Sequence, residues 1–270
     1  MNREQEIVNK TAEPRTRASL ARDLAALGLK PGDTVIVHTA LSRIGWVCGR
    51  AIAVVQALMD ALTPNGTLVM PAHSGDLSDP RYWSNPPVPE SWQATIRETM
   101  PAYDPAITPT SGIGAVPEAF RQFPGVLRSG HPALSFTAWG RNAGFITDHH
   151  GLAFSLGESS PLARLYDLDG YVLLIGVGHD RNTSIHLAEY RADARPIQRQ
   201  GAPVAENGVR LWKEYDDLEI DSDCFGEIGE AFERIYNVEK GRVGSAECRL
   251  MRQRQLVDFA TDWFKSGHKA

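Results

Sequence analysis

The chain has 270 residues, of which 42% are hydrophobic and 23% charged, and its formal net charge at pH 7 is −5. These values are typical of a soluble globular protein, and the longest apolar stretch, Tyr171 to Val177, is far too short to span a bilayer. Nucleic-acid binding depends on clustered Lys and Arg, so an acidic chain fits a cationic small-molecule partner better. We expect neither a nucleic-acid nor a membrane partner.

Cysteine usage and the N-terminal composition favour the cytoplasm. Cys48, Cys224 and Cys248 have no metal-like spacing and are interpreted as thiols, since a cytoplasmic chain needs no disulfide framework. Residues 1–15 are polar, carry charges of both signs and lack the apolar middle region of a secretory signal. We therefore predict a single cytoplasmic domain, residues 1–270, that begins with a polar, loosely packed extension over residues 1–15.

The first seventy residues predict alternating helices and strands around a ligand loop. Thr16 is the expected cap of a first helix, and Gly28 stands where a glycine commonly follows a helix. A β-branched run then ends at His38 and leads into a loop that contains Ser42. The predicted order is helix 16–27, strand 34–37, loop 38–49, helix 51–62 and strand 67–70.

A long excursion runs from Pro71 to Pro109. Its eight prolines and two tryptophans replace the periodic apolar pattern that a regular element requires, so we place only one helix in it, at Ser91 to Met100. An insert of this length in a compact domain is usually functional. We expect it to form a lid or a wall of a binding cleft.

The second half of the chain again alternates between the two kinds of element. The run from Tyr171 to Val177 is continuously apolar, which predicts a strand that is buried on both faces. The dipeptide Asn207-Gly208 predicts a two-residue hairpin. Further predictions are a short helix ending at 122, a strand ending near 138, and helices at 162–168, from 182 or 183 onwards, at 227–236 and at 250–264. We predict an α/β fold in which a central mixed sheet is flanked by helices in three layers, with long loops around a substrate cleft.

The strongest candidate site follows the carboxyl end of the most buried strand, where ligands collect in open α/β sheets. His186 and Glu189 are three residues apart on a predicted helix and can share a face. A neutral imidazole there could take a proton from an incoming amine while a carboxylate orients the ring. Asp180 is a second candidate for orienting His186, and the spacing does not choose between the two. A packed structural histidine is the alternative.

Two other functions remain open at this stage. His179, Asp180, His186 and Glu189 are all possible metal ligands, which makes a metal-dependent hydrolase the main alternative. The two histidines are seven residues apart, however, whereas the helical zinc motif places them four apart. A non-catalytic binding protein is the third interpretation.

Acidic and aromatic residues suggest walls for a cationic ligand. The stretch from Glu214 to Asp223 is rich in carboxylates and could form one wall, although a solvated strand edge and loop is the more common reason for such a stretch. Asp76, Asp79, Tyr82 and Trp83 in the long excursion could form the opposite wall, with the aromatic rings packed on a sugar or a cation.

Several blocks, in one order, resemble the antibiotic N-acetyltransferase family, whose members include the aminoglycoside 3-N-acetyltransferases. The resemblance spans nearly the whole chain. It is carried by residues 35–42 (VIVHTALS), 66–71 (GTLVMP), 128–132 (RSGHP), 160–162 (SPL) and 174–180 (LIGVGHD) through 183–189 (TSIHLAE). One departure stands at Ala40, where family members often carry a second small hydroxyl residue.

The resemblance implies direct transfer of acetyl from acetyl-coenzyme A to an aminoglycoside amine, typically the 3-amino group of deoxystreptamine, without a metal. Such a reaction would confer antibiotic resistance. His186 corresponds to the catalytic histidine, and Glu219 and Asp221 match positions that present carboxylates to the cationic drug. Asp223 of the same acidic stretch is added to this set as a substrate-binding candidate. The oligomeric state is open, with a homodimer as one alternative. The residues expected at the coenzyme are His38, Thr39, Ala40, Leu41, Ser42, Thr110, Ser111, Gly112, Ile113, Arg128, Ser129, His131 and Ser135.

Overall fold

A seven-stranded mixed sheet organises the fold. The computed structural model describes residues 3–267. The strands are β1 Thr34–Thr39, β2 Thr67–Pro71, β3 Leu127–Arg128, β4 Phe136–Gly140, β5 Tyr171–Ile175, β6 Ile197–Glu206, β7 Val209–Leu218, β8 Glu239–Val243 and β9 Ala246–Arg252. Seven of them form the sheet in the order β3-β4-β2-β1-β5-β9-β8, while β6 and β7 form a separate hairpin. Strand β1 is parallel to β2 and β5, and the outer pairs are antiparallel.

Helices cover both faces of this sheet. They are α1 Arg3–Lys10, α2 Arg17–Ala26, α3 Leu41–Ile44, α4 Arg50–Leu62, α5 Glu90–Thr99, α6 Ala115–Phe120, α7 Ala143–Thr147, α8 Pro161–Asp167, α9 Ser184–Arg191, α10 Phe225–Ile235 and α11 Gln253–Lys265. Alternate residues of a strand point to opposite faces. Val35 and Val37 accordingly pack with α2, α4 and α6, and Ile36 packs with α7 to α11. The predicted three-layer α/β fold with a mixed sheet is confirmed.

Most of the predicted elements are confirmed, and the turn chemistry explains the clearest of them. Asn207 and Gly208 have φ values of 51° and 76°, which is the left-handed backbone that a two-residue hairpin turn between twisted strands needs. Strand β5 lies in the interior of the sheet, between β1 and β9, as its apolar run predicted. Thr16 accepts a hydrogen bond from the backbone of Ser19 and so caps α2.

The C-terminal hairpin corrects one prediction. The helix expected to begin at Leu250 begins at Gln253, because Leu250 belongs to strand β9. In β9 the buried residues Ala246, Cys248 and Leu250 alternate with polar ones, which is the two-residue period of a strand. The apolar residues at the end of this strand run directly into the apolar face of α11, so the two patterns merge in the sequence.

The N-terminal segment, for which the composition suggested a polar and loosely packed extension, contains a short helix whose described residues are mostly exposed. Helix α1 spans Arg3–Lys10, and its Glu4 pairs with Arg50 at 2.9 Å. The hydroxyl of Thr11 donates to the carbonyl of Ile7 and accepts from the backbone N–H of Trp46. Arg15 then pairs with Val47 in an isolated β-bridge. Side-chain and backbone hydrogen bonds therefore hold a segment that carries few apolar residues.

A glycine allows α10 to pack closely on the turn that follows β5. A Cβ atom at Gly229 would lie 1.9 Å from Cγ of His179, so no larger residue fits without displacing that buried ring. We expect Gly229→Ala to lower the free energy of unfolding by about 1–3 kcal/mol, as overpacked cores do. Gly226 lies in the same helix, and a Cβ atom there would meet nothing within 4 Å, so Gly226→Ala is the matched control. Urea unfolding of both variants checks this, and equal stabilities would contradict it.

Candidate active site

A cavity of about 870 Å³ opens at the carboxyl edge of the three parallel strands. Because β1, β2 and β5 run in the same direction, the residues that follow them meet at one edge of the sheet. His38 lies at the end of β1, Pro71 at the end of β2, and Val177 just after β5, and all three line the cavity. His186 enters it from α9. The buried parallel strands at the centre of the sheet thus place these candidate site residues around one cavity.

The His186 side chain is held by a buried carboxylate. Its Nδ1 lies 2.5 Å from Oε2 of Glu189, whose side chain is fully buried. The other carboxylate oxygen, Oε1, accepts from Nε of Arg195 at 2.9 Å. A carboxylate only accepts hydrogen bonds, so the Nδ1 of a neutral His186 carries the hydrogen and Nε2 keeps its lone pair. Arg195, Glu189 and His186 thus form a chain that sets the tautomer and the direction of the imidazole.

The opposite side of the His186 ring faces the cavity. Its Nε2 makes no hydrogen bond with any residue within 3–267, and the side chain keeps 14% of its surface exposed. Phe225 packs against the ring edge to face, with the two centroids 4.6 Å apart. Asp180, the other candidate for orienting His186, also lines the cavity but hydrogen-bonds Arg181 at 3.1 Å. Glu189 is therefore the carboxylate that contacts His186.

Two more histidines line the same cavity. Burial, the larger cause, and the nearby His186 lower the pKa of His38 to about 3, and burial with several neighbouring charges lowers the pKa of His73 to about 3. Both rings are consequently neutral at pH 7. Nε2 of each ring and Oγ1 of Thr39 are buried without a hydrogen-bond partner among the described residues. Buried polar groups without partners are uncommon in folded proteins and often mark a bound water or ligand.

The residues predicted at the coenzyme divide into three groups. His38, Thr39, Ala40, Leu41, Ser42, Gly112 and Ile113 line the cavity together with His186. Thr110 and Ser111 directly precede this part of the lining in the chain. The hydroxyl of Thr110 donates to Oε2 of Glu118 on α6 at 2.6 Å, and the hydroxyl of Ser111 donates to Asp76 at 3.1 Å. The residues of the lining are placed where they can contact a ligand in the cavity.

The remaining four of these residues are engaged inside the protein. Arg128 donates to the carbonyls of Ala72 and Thr108 and to the hydroxyls of Ser74 and Ser135, and so anchors the start and the end of the long excursion. The guanidinium of Arg128 is therefore hydrogen-bonded within the protein. The same holds for Ser129, His131 and Ser135, which are buried and hydrogen-bonded to protein groups.

The residues predicted for the drug on the long excursion lie outside the cavity lining. Asp79 is almost fully buried and pairs with Arg97 at 2.6 Å, so its charge is already compensated by the protein. Tyr82 donates to the carbonyl of Arg199 on β6, and Trp83 donates to the hydroxyl of Ser78. Asp76 is exposed. The Tyr82 contact fastens the excursion to the β6–β7 hairpin.

The acidic residues after β7 lie next to the carboxylate that holds His186. Asp221 pairs with Arg195 at 3.5 Å and accepts from the backbone N–H of Asp223, which connects this segment to the buried Glu189. Glu219 and Asp223 are exposed. None of the three lines the cavity, but Ser222 and Phe225 of the same segment do. The acidic segment therefore borders the site without entering it.

Three contributors to the site were absent from the sequence prediction. His73 follows a predicted strand in the same way as His38, so the strand end was a signal that could have identified it. Arg195 carried no such signal, because its contact with Glu189 depends on the turn after α9. Helix α1 supplies Glu4 and Ile7 to the cavity wall, and its polar composition gave no indication of this.

The four possible metal ligands belong to separate pairs. Nε2 of His179 lies 2.8 Å from Oε1 of Glu233 on α10, whereas His186 pairs with Glu189. Within residues 3–267 no group of three or more His, Cys, Asp or Glu side chains is arranged to hold a metal ion. The ligand set on which the hydrolase alternative depended is therefore not assembled. In the same range no helix is long and apolar enough to cross a membrane.

Comparison with known proteins identifies similar chains over nearly the full length. A family model described as aminoglycoside 3-N-acetyltransferase matches residues 36–265. The SPbeta prophage-derived aminoglycoside N(3')-acetyltransferase-like protein YokD of Bacillus subtilis (strain 168) is 52% identical over 259 residues, which cover 96% of this chain and 95% of YokD. The YokD crystal structure has a TM-score of 0.96 and covers 97% of this chain and 98% of its own.

More distant relatives have similar coverage. Aminoglycoside N(3)-acetyltransferase VII of Streptomyces paromomycinus is 37% identical over 280 residues, or 96% of this chain and 94% of that protein. The solved structure described as "AAC-IIIb binary with CoASH" is 32% identical, with a TM-score of 0.85 over 94% of this chain and 97% of that chain.

Proposed function

Because the chain belongs to the aminoglycoside 3-N-acetyltransferase family, we propose that it transfers acetyl from acetyl-coenzyme A to an amine of an aminoglycoside. The 3-amino group of the deoxystreptamine ring is the proposed acceptor, and antibiotic resistance is the proposed consequence. The observation that carries this proposal is the imidazole of His186, backed by a buried carboxylate and directed into a cavity at the sheet edge.

The lining of the cavity supports a coenzyme as its ligand. Acetyl-coenzyme A supplies the acetyl group as a thioester, and its pantetheine arm needs a channel with both apolar and hydrogen-bonding walls. Leu41, Val177 and Pro117 provide apolar walls, and the unpartnered Oγ1 of Thr39 is a polar group that lacks a protein partner in the described residues. The AAC-IIIb structure, a binary complex with CoASH, supports the same ligand. We assign His38 to Ser42, Gly112 and Ile113 to its binding.

His186 acts as the general base in this proposal. An ammonium is not a nucleophile, so the amine must lose a proton as it attacks the acetyl carbonyl. Nε2 of His186 takes up that proton, and Glu189 stabilises the imidazolium that forms while Arg195 keeps the carboxylate in place. Negative charge on the carbonyl oxygen requires hydrogen-bond donors, for which we propose backbone N–H groups or a hydroxyl near Thr39 or Ser42.

Direct transfer is supported over a route through a cysteine. None of the three cysteines, Cys48, Cys224 and Cys248, lines the cavity. Burial raises the pKa of Cys224 and raises the pKa of Cys248 to about 11. Since the thiolate is the nucleophile, such thiols are poorly reactive at neutral pH. We propose that the amine attacks the thioester without an acyl-enzyme.

The drug is proposed to approach from the acidic segment after β7. Ser222 and Phe225 place this segment at the rim of the cavity, beside His186. The exposed carboxylates of Glu219 and Asp223 suit a polycationic ligand, and Asp221 contributes negative charge that Arg195 partly balances. Asp76, Tyr82 and Trp83 remain proposed as a second wall.

The function is tested by release of free thiol from acetyl-coenzyme A against a panel of structurally distinct aminoglycosides. We expect release only when both ligands are present, together with a mass increase of one acetyl group on the drug. A chelator is the control for a metal-dependent hydrolase and should leave the rate unchanged. Binding of both ligands without thiol release would show a binding protein instead and would contradict the proposal.

A further inference from the structure

His73 is a histidine of the cavity wall that the proposed mechanism does not use. It follows β2 at the carboxyl edge of the sheet and lines the same cavity as His186. Neither of its ring nitrogens has a hydrogen bond to a residue within 3–267, and Nε2 is buried. Buried polar nitrogens without a partner are uncommon, because they lose the hydrogen bonds that water would give them. The ring is therefore a candidate contact for a ligand of this cavity.

The backbone and the ring of His73 are both held in place. The backbone N–H of the next residue, Ser74, donates to the carbonyl of Ala133 at 2.8 Å. The carbonyl of His73 accepts from the backbone N–H of Ser111 at 2.8 Å. Phe136 packs edge to face against the imidazole, with the two ring centroids 5.3 Å apart. A ring that is fixed in this way loses little conformational freedom when it binds a ligand.

The imidazole of His73 suits the donation of a hydrogen bond and does not suit the uptake of a proton. Burial, the largest cause, and nearby charges, of which that of His186 is the largest, lower the pKa of His73 to about 3. At neutral pH the ring is therefore too weakly basic to share the role of the general base. A neutral imidazole still carries one N–H, and such a group can polarise a carbonyl.

Acetyl transfer requires a hydrogen-bond donor near His186. As the nitrogen of the free amine bonds to the carbonyl carbon and its proton passes to His186, the π electron pair of the carbonyl moves onto the oxygen. When that pair returns, the C–S bond breaks and the sulfur leaves as a thiolate, which takes the proton from His186. The oxygen is negatively charged between these two steps. A donor that contacts the oxygen there stabilises the transition state more than the bound substrate.

We propose that His73 is a further catalytic residue, whose ring N–H donates a hydrogen bond to the carbonyl oxygen of the acetyl thioester. This inference rests on the proposed function, because it assumes that the acetyl donor is acetyl-coenzyme A. Three observations support it: His73 and His186 line one cavity, the ring has no hydrogen-bond partner in the described part of the chain, and its backbone is fixed. The donor from His73 adds to the one already proposed near Thr39 or Ser42.

Infrared spectroscopy of the bound thioester tests this contact without any aminoglycoside. A hydrogen bond to a carbonyl oxygen weakens the C=O bond, so it lowers the wavenumber of the stretching band. We use acetyl-coenzyme A with an isotope label at the acetyl carbonyl carbon. Its band should lie at higher wavenumber in His73→Leu than in the wild-type protein, because leucine has no N–H. The smaller substitution His73→Val also lacks the N–H and should give the same shift.

Two further variants serve as references for the infrared measurement. Glutamine in His73→Gln keeps an N–H donor, so its carbonyl band should lie between those of wild type and His73→Leu. His149 is exposed and does not line the cavity, so His149→Leu is the matched control and should leave the band where it is in wild type. A band at the same wavenumber in wild type, His73→Leu and His73→Val would overturn the inference.

The kinetic consequence of the lost donor is a fall in kcat. His73→Leu should lower kcat by about 100-fold and leave the KM for acetyl-coenzyme A nearly unchanged, because the oxygen gains its charge only after binding. His73→Gln should recover part of this loss. If His73 only supported the fold, the leucine and glutamine variants would lose kcat equally and the carbonyl band would not move, which would overturn the inference.

The spectroscopic and kinetic measurements separate this inference from the proposed function. If no aminoglycoside releases thiol while the carbonyl band shifts in His73→Leu, the inference stands and the proposed function fails. If thiol is released but the band is the same in both proteins, the proposed function stands and the inference is overturned. A wild-type protein that does not bind acetyl-coenzyme A would overturn both.

Discussion

Replacing His186 with alanine is expected to lower kcat by two orders of magnitude or more, which corresponds to about 2.7 kcal/mol of transition-state stabilisation. The expectation follows from the position of Nε2, which borders the cavity without a partner in residues 3–267 while Nδ1 is bound to Glu189. Alanine removes the proton acceptor but none of the proposed coenzyme contacts. The dissociation constants of coenzyme A and of the drug should therefore change little.

The appropriate measurement pairs steady-state kinetics with calorimetric titration of both ligands. His149 is exposed and does not line the cavity, so His149→Ala is the control for loss of an imidazole. A second variant, Glu189→Gln, keeps the shape of the side chain but removes the charge that stabilises the imidazolium, so we expect a smaller fall in kcat. Normal turnover by His186→Ala would rule out its role as the base.

The parts of the fold that the sequence predicted are those with strong local signals. The apolar run of β5, the Asn207-Gly208 turn and the capped helix α2 each depend on residues that are close together in the chain. Hairpin β8–β9 was missed because its strands are short, partly exposed and continuous with an amphipathic helix. Helix α1 was missed because its composition is polar and its contacts are with residues more than thirty positions away, such as the ion pair between Glu4 and Arg50.

The candidate site shows the same division between local and distant contacts. His186 and Glu189 are one helical turn apart, so their pairing was accessible from spacing alone. The choice of Glu189 over Asp180 was not, because it depends on how the turn between β5 and α9 directs Asp180 towards Arg181. The cavity-facing role of His73 depends on where the excursion leaves β2. Contacts between site residues of different loops could therefore be identified only from the three-dimensional structure.

The free energy of unfolding is expected to fall steeply as the pH is lowered from about 6.5 towards 4. Burial is the main cause that lowers the pKa of His38 and His73 to about 3, the pKa of His150 to about 4, and the pKa of His131 well below its usual 6.5. The unfolded chain takes up these protons near pH 6.5, but the folded chain does not. Protons bound only by the unfolded state stabilise it, so the native state loses stability throughout this window.

Burial is the main cause that lowers the pKa of His131 and His150, and the hydrogen bonds of the two rings fix which nitrogen carries the hydrogen in the neutral form. Nδ1 of His150 accepts from the hydroxyl of Ser129, which in turn accepts from the backbone N–H of Phe136, while Nε2 donates to the carbonyl of Ser155 at 2.7 Å. Nδ1 of His131 accepts from the backbone N–H of Leu134. In each ring the nitrogen that would take the proton already faces a donor. The centroids of the two rings are only 5.1 Å apart, so two positive charges would also repel each other.

Each such histidine contributes about 1.4 kcal/mol of lost stability per pH unit below the pKa of the unfolded state. Over about two pH units, the four histidines together lower the free energy of unfolding by an amount close to the entire 5–15 kcal/mol that stabilises an ordinary domain.

Urea unfolding at pH 7, 6 and 5 measures how steeply the free energy of unfolding changes with pH. In the His150→Gln variant, the glutamine can form hydrogen bonds but has no titrating group. The change in free energy of unfolding per pH unit should therefore fall by about one quarter, even if this variant is less stable than wild type at pH 7. His149→Gln should keep the full slope because that ring is exposed in the native state. A wild-type stability that stays constant between pH 7 and 5 would show that the buried rings accept protons without unfolding.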